Sequence, residues 1–211
     1  MKAERPLRVI FFATVTGSEP VREWLKGLLR EDRKIVGADI LTVQYAWPAG
    51  KPLVDSLGDG IWEVRSRLDN RIARTLFAVI NQEIVPLPGF IKKRQKTPRT
   101  NWNWRENAND NINKIYGKNN HRGGDFRDFL KEQDLLGEVE ARAVKQAVSL
   151  QLDRLLKERA LTKTQMAARM KTSRAAVDRL LDGSNSSVTL NTLGKAARAL
   201  GRKVKIVLEP A

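Results

Sequence analysis

From residue 99 to residue 124 the chain reads RTNWNWRENANDNINKIYGKNNHRGG, an asparagine-rich run in which apolar periodicity is lost. So few core-forming side chains cannot carry one hydrophobic core through the run, which predicts a linker or a poorly ordered tail. The patterns on its two sides differ in kind. Extended segments weigh most before it and helical spacing after it, so the chain is expected to be α+β. The expected organisation is a domain over 1–98, a linker over 99–124 and a mostly α domain over 125–211. With 211 residues, each side can bury a modest core.

Residues 7–15 (LRVIFFATV) are rich in β-branched and aromatic side chains and predict a first strand. Ser18 as N-cap with Pro20 just inside predicts a helix over 19–29, and a second amphipathic helix is expected over 31–46. Pro48, Gly50 and Pro52 enforce a loop. The period then turns extended: 61–66, 72–81 and 83–92 predict an antiparallel meander with turns at Asp69-Asn70 and Asn81-Gln82. Two helices on a small antiparallel sheet is the expected first domain. Helical spacing returns at 125–136, 138–159, 162–170, 173–182 and 189–200, and Lys203–Leu208 (KVKIVL) alternates as a strand would.

Charge narrows the function classes. Lys and Arg exceed Asp and Glu by 39 to 24, and a net charge of +15 is the footprint of a nucleic-acid binder. Without cysteine there are no disulfides, no thiolate catalysis and no cysteine-ligated zinc. The single histidine, His121, excludes histidine metal clusters and a His–His acid/base pair. No metal or other cofactor is called for. No apolar run reaches bilayer length, so a soluble cytoplasmic chain without a membrane partner is expected.

Residues 161–182 (LTKTQMAARMKTSRAAVDRLLD) predict a helix-turn-helix. Thr162 and Ser173 cap its two helices across the tight turn Lys171-Thr172. Ala167 and Ala168 are small where the helices would cross. Leu161, Met166, Met170, Val177, Leu180 and Leu181 would share a core. The second helix would present Thr172, Ser173, Arg174, Ala175, Asp178 and Arg179 to base edges, with Arg174 the leading base contact. Gln165 and Ser187, at helix starts, suit phosphate positioning. A plain helical bundle with a basic surface is the alternative.

These residues resemble the Cro/repressor-type family. The longer run through HRGGDFRDFLKE, EVEARAVKQAVSLQL and SVTLNTLGKAARALGRKVKI resembles HigA-type antitoxins. The resemblance implies a homodimeric repressor of operator DNA.

The first half carries PVREWLKGL, EDRKIVGADI, Trp47-Pro48, GIWEVRS, GFIKK and QKTP, and resembles the HigB branch of the RelE-type toxins, some phage-derived. That resemblance implies metal-independent cutting of mRNA on the ribosome. Such cleavage uses the ribose 2′-hydroxyl as nucleophile, so the protein must position the backbone and stabilise a phosphorane. Arg65, Arg71 and Arg74 on the meander and Lys92, Lys93 and Lys96 at its end are the catalytic candidates. Glu63 alternates with Arg65 and serves either as its ion-pair partner or as a base. Any one of these also fits an ordinary solvated sheet face.

Two departures from the family pattern bear on activity. Pro86 and Pro88 stand where an aliphatic residue and a histidine are expected before Gly89-Phe90, and proline weakens a central strand. The usual Leu/Ala/Arg/Lys-rich closing helix is replaced by TNWNWRENANDN, as a frameshift joining toxin to antitoxin would produce. Three readings follow: a toxin–antitoxin fusion restrained in cis, a DNA-binding regulator carrying a dead toxin remnant, or a non-enzymatic RelE-type binder.

Overall fold

A computed structural model describes residues 7–14, 16–92, 122–183 and 188–206 of the chain. The asparagine-rich stretch through residue 121, with Lys93, Lys96 and Ser187, lies outside them, and only the backbone of Pro88 and Lys92 is described. The chain is α+β and divides into two compact units, Met1–Ala143 and Val144–Ala211.

The first unit opens with β1 (Arg8–Phe12), α1 (Pro20–Lys26) and α2 (Arg30–Ala46). Pro20 is at the start of α1, but Glu19 rather than Ser18 is the N-cap, and the helix stops earlier than its apolar pattern suggests. Then come β2 (Val54–Gly58), β3 (Ile61–Arg67), β4 (Ile72–Ile80) and β5 (Glu83–Lys92). The three-strand meander is as expected; β2 is an addition. Its hairpin to β3 turns on Asp59-Gly60, both at positive φ, a strong hairpin dipeptide. The turn at Asn81-Gln82 likewise places both residues at positive φ.

After the undescribed stretch follow β6 (Arg122–Asp125), α3 (Phe126–Glu132) and α4 (Leu136–Glu158). The strand order is β2-β3-β4-β5-β1-β6. The sheet is mixed rather than antiparallel, because β1 pairs parallel with β5 through Arg8–Glu83 and Val9–Ile84. On its other side β1 pairs antiparallel with β6.

The expected domain boundary differs from the observed one for a clear reason. Residues 122–143 carry Phe126, Phe129, Leu130, Leu135 and Val139, each 1% exposed or less, and they bury these in the first unit. Phe11 of β1 packs edge-on against Phe126 at 5.6 Å and Phe129 at 5.5 Å. Gly37 of α2 leaves room for Leu130 and Val139, whose methyls would lie 3.4 and 3.7 Å from an added Cβ. Ion pairs tie the same segment down: Arg8–Asp125 at 2.6 Å, Arg122–Glu83 at 2.9 Å and Lys34–Glu138 at 2.7 Å. The Gly123-Gly124 pair, expected to be linker, is packed instead. A Cβ on Gly123 would collide with the carboxylate of Glu19 and the backbone oxygen of Phe11.

The prolines of β5 are absorbed rather than disruptive. The register of β1 on β5 lies upstream of both, and β4 pairs Phe77 with Pro86. Between Arg74–Phe90 and Leu76–Leu87 the register slips by one residue, so Pro88 and Gly89 together oppose Thr75. A bulge is one of the few sheet positions that tolerates the missing proline N–H. Gly89 is needed beside it, since a Cβ there would meet the Arg74 carbonyl at 2.8 Å and the Trp24 ring at 2.9 Å.

The second unit holds the rest of α4, then α5 (Lys163–Met170), α6 (Arg174–Leu181) and α7 (Leu190–Ala199). Leu152, Leu156, Met166, Met170, Val177, Leu180 and Leu200 form its core, with Leu161 and Leu181 packed on it. Ala167 is buried as expected, but Ala168 is exposed, so one small residue suffices at the helix crossing. The C-terminal strand does not form over Lys203–Ile206. No strand of the second unit is available to pair with it among the described residues, and Val204 and Ile206 stay exposed.

Candidate functional site

Alternation along β3 separates two faces. Trp62 packs edge-on against Trp47 at 5.1 Å, so it faces α2, and Glu63 and Arg65 cannot share that face with it. Arg65 and Arg74 stand directly opposite each other across β3 and β4, and Asp55 stands opposite Glu63 across β2 and β3. These four side chains form one ion-pair cluster. Arg65 donates to Glu63 at 2.6 Å and to Asp55 at 2.7 Å. Arg74 donates from one nitrogen to both oxygens of Glu63 at 2.7 Å.

Glu63 is 3% exposed, so it is the buried centre of the cluster, while its two arginines keep partial access to solvent. Its hydrogen bond and charge, with those of Asp55, hold the Arg65 guanidinium above its ordinary pKa. Lys51 joins from outside by pairing with Asp55 at 3.4 Å, so three cations meet two anions and the two carboxylates match the two arginines. A phosphate oxyanion would have to compete with carboxylates already 2.6–2.7 Å from the guanidinium nitrogens.

Arg71 does not join this cluster. It lies in the β3–β4 turn and pairs at 2.6 Å with Asp32, in the first turn of α2. The backbone of Lys92 pairs with Ile72 at the end of β5. Sequence reasoning missed Asp55, because β2 was missed, and Asp32, whose carboxylate sits on an otherwise ordinary amphipathic helix. The Asp59-Gly60 dipeptide was the available signal for β2.

In the second unit the helix pair is locally well specified. Thr162 accepts from the Gln165 N–H at 3.1 Å and Gln165 Oε1 accepts from the Thr162 N–H at 2.8 Å, a reciprocal capping box. Ser173 caps α6 by accepting from the Ala176 N–H at 3.1 Å. Lys171 ends α5 in the left-handed region, and the chain turns there into α6. Thr172, Ser173, Arg174, Ala175 and Arg179 are all exposed. Arg174 retains 69% of its side-chain exposure, and its nearest carboxylate, Asp178, is 3.9 Å away. Asp178 pairs with Lys163 at 2.7 Å, which lowers its pKa. It tethers α6 to α5.

Residues 132–209 match a helix-turn-helix domain family. The first half matches separately: residues 23–106 match the family described as phage derived protein Gp49-like. No curated protein and no solved structure matches the chain. The helix-turn-helix match contains α5 and α6, and supports DNA binding by this unit. The Gp49-like match contains the whole arginine–carboxylate cluster. Strand β6 and all of α3 but Glu132 fall between the two matches. No helix among the described residues is long and apolar enough to cross a membrane, and no described cluster of acidic or histidine side chains is suited to a metal.

The helix-turn-helix unit has one further device that its sequence pattern conceals. Lys145 of α4 is 7% exposed, and its ammonium donates at 2.9 Å to Ser149 Oγ and to the carbonyls of Leu180 and Asp182. It therefore closes the C-terminal end of α6, where unpaired carbonyls would otherwise be buried. Burial lowers its pKa, so the folded chain loses this proton at a lower pH than the unfolded chain does. Stability from this group therefore rises with pH between the lowered value and the ordinary 10.5. Lys145→Met is expected to cost about 1–3 kcal/mol at neutral pH. The deficit relative to wild type should grow as pH rises toward 10.5. Denaturant unfolding followed by far-UV circular dichroism at two pH values measures it, and a constant deficit would refute the assignment.

Proposed function

We propose that the chain is a toxin–antitoxin pair in one polypeptide. Its first unit is a RelE-type, HigB-like endoribonuclease domain held inactive in cis, and its second is a HigA-like repressor of operator DNA. The observation that carries the reading is the docking of residues 122–143 as β6, α3 and the start of α4 within the first unit. A strand added to a sheet edge contributes main-chain hydrogen bonds, and the buried Phe126 and Phe129 add apolar area. Fusion makes this contact intramolecular, so free toxin is scarce at any concentration.

In the active form Arg65 and Arg74 share one phosphate of mRNA on the ribosome. Arg71 and Lys92, Lys93 and Lys96 extend the positive field along the backbone. The 2′-hydroxyl attacks, and no metal is required. Arg174 reads a base edge, with Gln165, Thr172, Ser173, Ala175, Asp178, Arg179 and Ser187 around it at the DNA. The repressor acts as a homodimer in the cytoplasm.

One observation favours a second reading, a DNA-binding regulator with an inactivated toxin remnant. Glu63 and Asp55 neutralise the arginines that such a nuclease needs free.

Growth and translation, followed by labelling, are measured on inducing residues 1–98, 1–143 and the full chain. Fusion with restraint predicts arrest by 1–98, relief when 122–211 is co-expressed, and none from the two longer forms. Silence from a soluble 1–98 fragment that unfolds cooperatively in urea would leave the regulator reading.

A further inference from the structure

The carboxyl ends of α5 and α7 meet in a groove of about 470 Å³ lined by Arg169, Met170, Lys171, Lys195, Arg198 and Ala199. Four of the six are cations, and all four are exposed. Arg169 donates to the Ala199 carbonyl at 3.4 Å, which pins the two helix ends together. Met170 and Ala199 line the groove between the cations, Met170 as part of the core.

Helix dipoles explain only part of this arrangement. Each carboxyl terminus carries roughly half a negative charge, so the two together offset about one of the four cations. Among the described residues no carboxylate pairs with them. Asp153 and Asp178, the acids of this unit with described ion pairs, hold Lys157, Lys163 and Arg174 instead. None of the four groove cations forms an ion pair among the described residues. Residues 144–211 carry 14 Lys and Arg against 5 Asp and Glu, so no general neutralisation reaches the groove.

We propose that this groove is a second nucleic-acid contact of the helix-turn-helix unit. It takes the sugar–phosphate backbone of duplex DNA without reading sequence. The inference rests on the DNA-binding reading and adds a surface to it. The candidate sequence-reading residues stand at the amino end of α6, and the groove adjoins them through Lys171, which ends α5 next to Thr172. Gln165, the candidate phosphate contact at the amino end of α5, is set apart from the groove by that eight-residue helix, about 12 Å long. Phosphodiesters suit an open groove lined by cations from two helices, because backbone contacts need charge and little shape.

The test uses the full chain bearing Lys195→Gln and Arg198→Gln together, with Lys203→Gln and Lys205→Gln, two exposed cations outside the groove lining, as a matched pair. Binding to a random 30-base-pair duplex, and to the duplex upstream of the chain's own reading frame, is measured from 50 to 200 mM KCl. The groove pair is expected to flatten the log K against log [salt] slope by about 2 on both duplexes, leaving their affinity ratio unchanged. An unchanged slope overturns the inference. So does an equal loss from the matched pair. Arg174→Ala, run alongside, decides sequence reading separately: an unchanged affinity ratio there removes the base-contact role and leaves the groove result standing.

Discussion

Phe129→Ala is expected to destabilise the first unit by about 3–5 kcal/mol, a large share of a small domain's total. Phe129 is 1% exposed and packs edge-on to Phe11 at 5.5 Å, with Phe126 at 6.0 Å, so truncation opens a cavity between β1 and α3. The reporter is built in. Trp24, Trp47 and Trp62 are described residues of the first unit and residues 144–211 hold no tryptophan, so emission is blind to the second unit. A urea midpoint that falls sharply by tryptophan emission places residues 122–143 in the first unit energetically as well as spatially. If emission reports less than about 1 kcal/mol, the segment is an ornament, and restraint in cis through β6 and α3 fails with it.

Glu63→Ala has the next largest effect, a loss of about 2–4 kcal/mol. Removing one partner of a fully buried ion pair costs about 3–5 kcal/mol. The figure is lower here because Arg65 and Arg74 retain 33% and 22% of their side-chain exposure. Glu63→Gln keeps the acceptor oxygen and is expected to recover part of the loss. It also removes one of the two anions that face Lys51, Arg65 and Arg74, so the variant should bind single-stranded RNA more tightly than wild type at low salt. Equal RNA binding by the two forms would show that Arg65 and Arg74 remain unavailable, which favours the regulator reading. Equal stability of Glu63→Ala and wild type would show that the cluster contributes nothing net.

The parts of this protein that were legible in the sequence are those governed by neighbours within a turn or two. The caps at Thr162 and Ser173 satisfy their own helix ends. The hairpin at Asn81-Gln82 and the meander it joins follow from period and turn chemistry. The exposed Arg174 was legible because helical periodicity separates it from Val177 and Leu180. The candidate arginines of β3 and β4 were named, but not the carboxylates that hold them.

What the sequence could not decide was always a question of partner. The Gly123-Gly124 pair reads as slack chain until Glu19 and the β1 backbone are seen against it. Pro86 and Pro88 read as defects until β1 is found to pair upstream and a bulge to absorb the second. Lys145 reads as one more surface cation until the open carbonyls of α6 are found above it. KVKIVL has the alternation of a strand, but over Lys203–Ile206 it has no strand to join.

Composition, charge, periodicity and capping by themselves determined an α+β chain with a basic helix-turn-helix and a β-rich half bearing arginines. Tertiary structure alone decided which half owns residues 122–143, and whether Arg65 and Arg74 stand free or neutralised. The reason is physical. Propensity and capping act over a few residues, whereas a buried phenylalanine or a charged pair is stabilised by groups that the fold brings from a hundred residues away.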